Sequence, residues 1–74
     1  MDPESLAVLR EARDTRHRKE SVERAVGRAV RRRELDFGVY VRLVSELRVF
    51  AEKKKLSLDD ALAGILEAQE DKQQ

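Results

Sequence analysis

The chain has 74 residues, with 16 Lys and Arg against 15 Asp and Glu, 42% charged residues, 41% hydrophobic ones and no cysteine. This length holds one domain at most, disulfides are excluded, and a structural zinc site lacks its ligands because His17 stands without cysteines. A lone core in so small a chain supplies only about 3–5 kcal/mol, so the remaining way to staple it is oligomerisation.

The longest unbroken apolar stretch, Leu6 to Leu9, is four residues, whereas crossing a bilayer takes ~20. Met1-Asp2-Pro3-Glu4 has neither the basic nor the apolar region of a signal peptide. The expectation is a soluble, cytoplasmic protein with no membrane partner. No nucleophile, acid–base pair or metal-ligand set is spaced for catalysis, so no enzyme activity, cofactor or metal is expected. Asn and Trp are absent and Arg outnumbers Lys by 11 to 5, which suits a heat-tolerant source or a GC-rich genome. Charge is unevenly placed: residues 1–33 carry ten Lys and Arg against six Asp and Glu, and residues 34–74 carry six against nine. This divides the chain into a basic helical arm (1–33), an acidic dimerising helical core (34–70) and a polar tail (71–74), with fraying expected from Glu67 onwards.

In chain order, Asp2-Pro3-Glu4 reads as a helix start: Asp caps, Pro sits where its missing N–H costs nothing, and Glu faces the positive end of the dipole. Opposite charges four apart (Arg10–Asp14–Arg18, Arg16–Glu20–Arg24, Lys19–Glu23) favour continuing that helix through residues 13–20, which hold no apolar side chain. A stretch polar all round either bridges two packed ends or marks a bend. Thr15 and Ser21 can each cap a second helix, so a continuous helix over 3–34 and a broken one both fit. Val22, Ala25, Val26, Ala29 and Val30 then form a narrow stripe of small side chains, suited to a close helix–helix contact.

Leu35, Phe37, Val39 and Val41 alternate with Asp36, Gly38 and Tyr40, the period of a half-buried strand. Capped by Asp36, the same segment also reads as a helix in which Phe37, Tyr40, Val41, Val44, Leu47 and Ala51 recur. Gly38 weakens both readings. A firmer helix carries Leu43, Val44, Leu47, Phe50 and Ala51 and ends at Lys53-Lys54-Lys55. Ser57 then caps a last helix with Asp59 and Asp60 in its first turn and Ala61, Leu62, Ile65 and Leu66 on its apolar face.

Over residues 35–67 this pattern, alternating Leu35, Phe37 and Val39, then Leu43, Leu47 and Phe50-Ala51, then Leu56-Ser57-Leu58, Ala61-Leu62 and Ile65-Leu66, resembles the ribbon–helix–helix superfamily of DNA-binding proteins. The resemblance implies an intersubunit strand at 35–41 that pairs with its counterpart into a ribbon for the DNA major groove, and two helices per chain that share a dimer core. In that register the outward positions are Glu34, Asp36 and Gly38, where a phosphate-rich groove calls for cations. Lys55 stands where the family commonly has glycine, and Asp59 and Asp60 would repel a phosphate at the last helix's amides.

Arg28, Arg31, Arg32 and Arg33, with Arg24 one turn earlier, form the one dense positive cluster free of acids nearby in sequence. Phosphate contact is one reading; a solvated face that complements a helix C-terminus is the other. Arg16-His17-Arg18-Lys19 is largely matched by acids, Lys53-Lys54-Lys55 reads as dipole complement, and the pairs Asp59-Asp60 and Glu70-Asp71 read as capping and solvation. Phe37, Tyr40 and Phe50 can stack on bases, but no basic residue interleaves with them, which favours a core or interface.

The sequence thus predicts a mainly α protein: a long N-terminal helix or helix pair, then a two-helix unit preceded by a short intersubunit strand at 35–41, with an all-α bundle as the alternative. Its expected function is nucleic-acid binding as a small dimeric transcriptional or nucleoid-type regulator. Arg24, Arg28, Arg31, Arg32 and Arg33 would contact the backbone, and Phe37, Val39, Leu47 and Phe50 would form the homodimer interface. The alternative is a protein-interaction module, an adaptor or antitoxin-like partner, that docks its Val22/Val26/Val30 stripe into another protein's groove.

Overall fold

The computed structural model describes residues 1–72, which form four helices: α1 (Pro3–Thr15), α2 (Val22–Arg32), α3 (Phe37–Lys54) and α4 (Leu58–Lys72). Residues 73–74 of the polar tail lie outside the described residues. The all-α alternative is the observed architecture, and no strand occurs among the described residues.

Each helix begins where a short polar side chain replaces a missing intrahelical partner. Ser5 donates its N–H to Asp2 Oδ2 at 3.2 Å, Arg24 to Ser21 Oγ at 3.1 Å, Gly38 to Asp36 Oδ2 at 2.9 Å and Asp60 to Ser57 Oγ at 3.2 Å. The Asp36 cap settles residues 35–41 as loop and helix rather than strand. A Cβ on Gly38 would lie 2.8 Å from Asp36 Oδ2, so glycine makes room for the capping carboxylate. Once α3 starts at Phe37, its helical set governs burial: Leu43, Val44, Leu47 and Ala51 are buried and Tyr40 packs against them, whereas Phe37 and Val41 of the strand pattern are exposed.

α1 and α2 are two helices, separated at residues 16–21. The i,i+4 charge ladder would add about 0.2–0.5 kcal/mol per pair to a continuous helix. Folding α1 back instead buries Leu6, Val8, Leu9 and Ala12, and the two leucines alone contribute roughly 3–6 kcal/mol. The bend therefore wins, and charged groups of the ladder find other partners: Glu20 pairs with Arg28, Glu23 with Arg48, and Arg16 with Asp59.

One core joins all four helices. The small stripe Val22, Ala25, Val26, Ala29 and Val30 is buried in the same cluster as Leu43, Leu47, Leu62 and Leu66. Part of the apolar surface that α3 and α4 cannot cover for themselves is thus covered by α1 and α2 of the same chain. The Val22/Val26/Val30 stripe is consequently not offered to a partner's groove. At the open end of α1, Ser5 donates to Asp2 Oδ1 at 2.6 Å and accepts from Arg42 of α3 at 2.7 Å, which satisfies a buried hydroxyl and lowers the Asp2 pKa.

α4 runs to Lys72, so the polar residues from Glu67 to there continue the last helix. Glu70 lies 3.4 Å from Arg13 and 3.8 Å from Arg10, pairs that tie the end of α4 to α1.

Two helices end with non-glycine residues in the left-handed region, Glu34 (φ 56°) and Lys55 (φ 58°). In each, the next N–H reaches back across the turn, Leu35 to Val30 O at 3.1 Å and Leu56 to Ala51 O at 2.8 Å, as in a Schellman cap. Lys55→Gly is expected to stabilise the protein by about 1 kcal/mol by relieving this backbone strain. A thermal melt checks it, and an unchanged or lowered Tm would contradict it.

Candidate nucleic-acid interface

The five arginines expected to contact a nucleic-acid backbone all lie on α2 or its C-cap, but they do not form one free cluster. Two carboxylates reach them, Glu11 from 21 residues before Arg32 and Glu20 from eight before Arg28. Glu11 of α1 accepts from Arg32 in a two-point pair, with Nε at 2.6 Å and a second bond from the other guanidinium nitrogen, and also from Arg33 Nε at 3.1 Å. Glu20 accepts from Arg28 at both oxygens, at 2.7 and 3.2 Å. Folding α1 onto α2 thus places acids beside a cluster that the sequence shows without any.

Arg28 does more than pair with Glu20. It donates to Thr15 Oγ1 at 3.0 Å and to the Thr15 carbonyl at 3.1 Å, so one guanidinium holds the end of α1 and the loop before α2 together. His17 N–H donates to Glu20 Oε1 at 3.2 Å, completing the ring of donors around that carboxylate. Its pKa is pushed down to about 2 from an ordinary 4.5, first by the Arg28 hydrogen bonds, against some opposing loss of solvation. Glu11 is likewise lowered, chiefly by its bond from Arg32. Arg24 and Arg31 remain: both are exposed, and neither has an ion pair among the described residues.

These two cations border a groove of about 600 Å³ between α2 and the start of α3. One side carries Arg24, Arg28 and Arg31, and Phe37 and Tyr40 also line it. The two rings meet edge to face, centroids 5.4 Å apart and planes at 66°, and Phe37 is 70% exposed. Read along the chain, no basic residue lies between these two aromatics. The helical start of α3 places them in the same groove as the α2 arginines. The sequence points these aromatics to a core or interface because their place beside α2 depends on residues 35–41 being helical, for which the signals are the Asp36 cap and the helical recurrence of Phe37, Tyr40 and Val44.

The residues expected at a dimer interface are also redistributed. Leu47 is 1% exposed inside the chain's own core, so it is not available to a second chain, and Val39 packs partly buried against the same core. Phe37 lines the α2/α3 groove. Phe50 packs on α4 over Gly64, where an added Cβ would come within 3.2 Å of its ring. No helix among the described residues is long and apolar enough to cross a membrane, and no three His, Asp or Glu side chains among them converge on a metal position.

No protein-family model, curated protein or solved structure matches the chain.

The Arg28–Glu20 clamp has a defined pH dependence. Because the Glu20 pKa is lower folded than unfolded, its contribution is complete above about 4.5 and is lost as pH falls towards about 2. Thermal melts of wild type and Glu20→Gln should differ most near neutral pH and converge as the pH falls through that window. A difference that stayed constant down to the lower limit would show that the carboxylate's charge is not what matters.

Proposed function

We propose that this protein binds nucleic acid through the α2/α3 groove, and that the form it takes there is single-stranded. The observation that carries this reading is the pairing of two unmatched arginines, Arg24 and Arg31, with the exposed Phe37 and the partly buried Tyr40 that it meets, all lining the same groove. Phosphates need cations that are not already spent on carboxylates, and unstacked bases need a ring face. A duplex hides its base faces and would leave Phe37 unused. Arg28 also lines the groove, but Glu20 lies there with it and offsets its charge, and its hydrogen bonds are committed to Glu20 and Thr15. Arg32 and Arg33 share one Glu11 carboxylate and leave one net positive charge at the end of α2, a weaker accessory contact.

In this reading the protein is a small regulator or nucleoid-type binder whose recognition is mostly independent of base sequence, since stacking and phosphate contacts carry little sequence information. The groove is short, so the contact spans few nucleotides.

Fluorescence anisotropy with a labelled single-stranded oligonucleotide and its duplex form tests this. Two to three phosphate contacts should weaken binding roughly tenfold between about 50 and 200 mM salt. Arg24→Ala with Arg31→Ala should lower affinity and flatten that salt slope. Phe37→Ala should cost about 1–3 kcal/mol and leave the slope unchanged. Equal affinity for duplex, or binding indifferent to Phe37, would remove the single-strand reading; absence of binding at the lower salt would remove nucleic acid altogether.

A further inference from the structure

A second groove, of about 630 Å³, runs between α3 and α4, with Val49, Phe50, Ile65 and Ala68 along it and Glu46 and Lys53 at its edge. Val49 is 65% exposed. Glu46 and Lys53 have no ion pair among the described residues. They also stand symmetrically about the point midway between Val49 and Phe50, three and a half positions to either side. An unpaired acid and an unpaired base on one exposed face, with an apolar centre between them, are charge-complementary to a second copy turned end for end. In a two-fold dimer, a residue that meets a second residue on the partner is itself met in return. If two α3 helices cross antiparallel with the axis between Val49 and Phe50, each Glu46 faces the other copy's Lys53, and each Val49 faces the other copy's Phe50.

We propose that this groove is a homodimer interface, occupied by a second copy of the chain with α3 antiparallel to α3. The charge pattern selects that occupant and that orientation. A parallel arrangement would set Glu46 against Glu46 and Lys53 against Lys53. The antiparallel one gives two opposite-charge contacts around an apolar centre in which Val49 enters the partner's groove over Phe50, Ile65 and Ala68. Tyr40 and Val49 are nine residues apart, about 180° around the helix, so the dimer would leave both α2/α3 grooves uncovered. The inference stands independently of what those grooves bind.

The test is a charge exchange read by sedimentation equilibrium across the micromolar to submillimolar range. Wild type should approach twice the 8.6 kDa chain mass. Glu46→Lys alone and Lys53→Glu alone each convert both contacts to repulsion and should weaken the dimer by roughly tenfold or more. The double exchange should restore it, and mixing the two single variants in equal amounts should yield a heterodimer, since every contact is then opposite in sign. Both positions are exposed, so folding, checked by circular dichroism, should be unaffected. A wild type that stays monomeric throughout the range, or a dimer indifferent to the single exchanges, or single variants that fail to associate when mixed, would each overturn the proposal. Val49→Glu supplies an uncoupled check: a dimer that survives it uses another surface.

Discussion

The corner between α1 and α2 is where the fold is decided. Residues 13–20 offer nothing to bury, so this segment can only be a solvated helix or a bend, and the bend requires that the polar groups freed at the end of α1 find partners. Arg28 and Glu20 supply them: the guanidinium takes the Thr15 carbonyl and hydroxyl while holding Glu20, and Glu20 accepts from the His17 amide. With the corner closed, α1 lies along α2, and together they cover α3 and α4. The same residues in an extended α1–α2 rod would leave Leu6, Leu9 and the valines of α2 in water, and the chain would need a partner to fold at all.

That corner also determines which charges remain for function. A cluster of five arginines looks uniformly basic along the sequence, yet closing the corner brings Glu11 and Glu20 onto α2 and consumes Arg28 wholly and Arg32 and Arg33 in part. The exposed ion pairs are each weak contributors to stability; their larger effect is to thin the positive field at the end of α2 and leave Arg24 and Arg31 as separate cations beside the aromatic pair.

How much of this could be read from the sequence follows from which features are local. The helix starts at Asp2 and Ser57, the small apolar stripe of α2 and the core set of α3 and α4 are legible because caps and 3.6-residue periodicity depend on neighbours a few positions away, and the same local signals offer Ser21 and Asp36 as caps beside a competing reading. The strand over 35–41 was a misreading of a period-2 pattern only seven residues long, which a cap and the distant α2 stripe overrule. The supposed isolation of the arginines failed for a different reason. Glu11 lies 21 residues before Arg32, and only tertiary packing brings them together. The proximity of Phe37 and Tyr40 to α2 is tertiary in the same way.

The α2/α3 groove carries two local costs that the rest of the fold does not require. Phe37 stays mostly in water, although burying such a ring contributes about 1.5–3 kcal/mol. Gly27 sits in the middle of α2, where glycine costs about 1 kcal/mol relative to alanine. A Cβ there would lie 3.9 Å from the Tyr40 ring, an ordinary contact, so packing does not force the glycine. What a methyl group would do is fill the groove wall between Arg24, Arg31 and the ring of Tyr40. Unforced local costs concentrate where a protein meets something other than itself. Here both fall on the surface that offers free cations and the exposed face of Phe37.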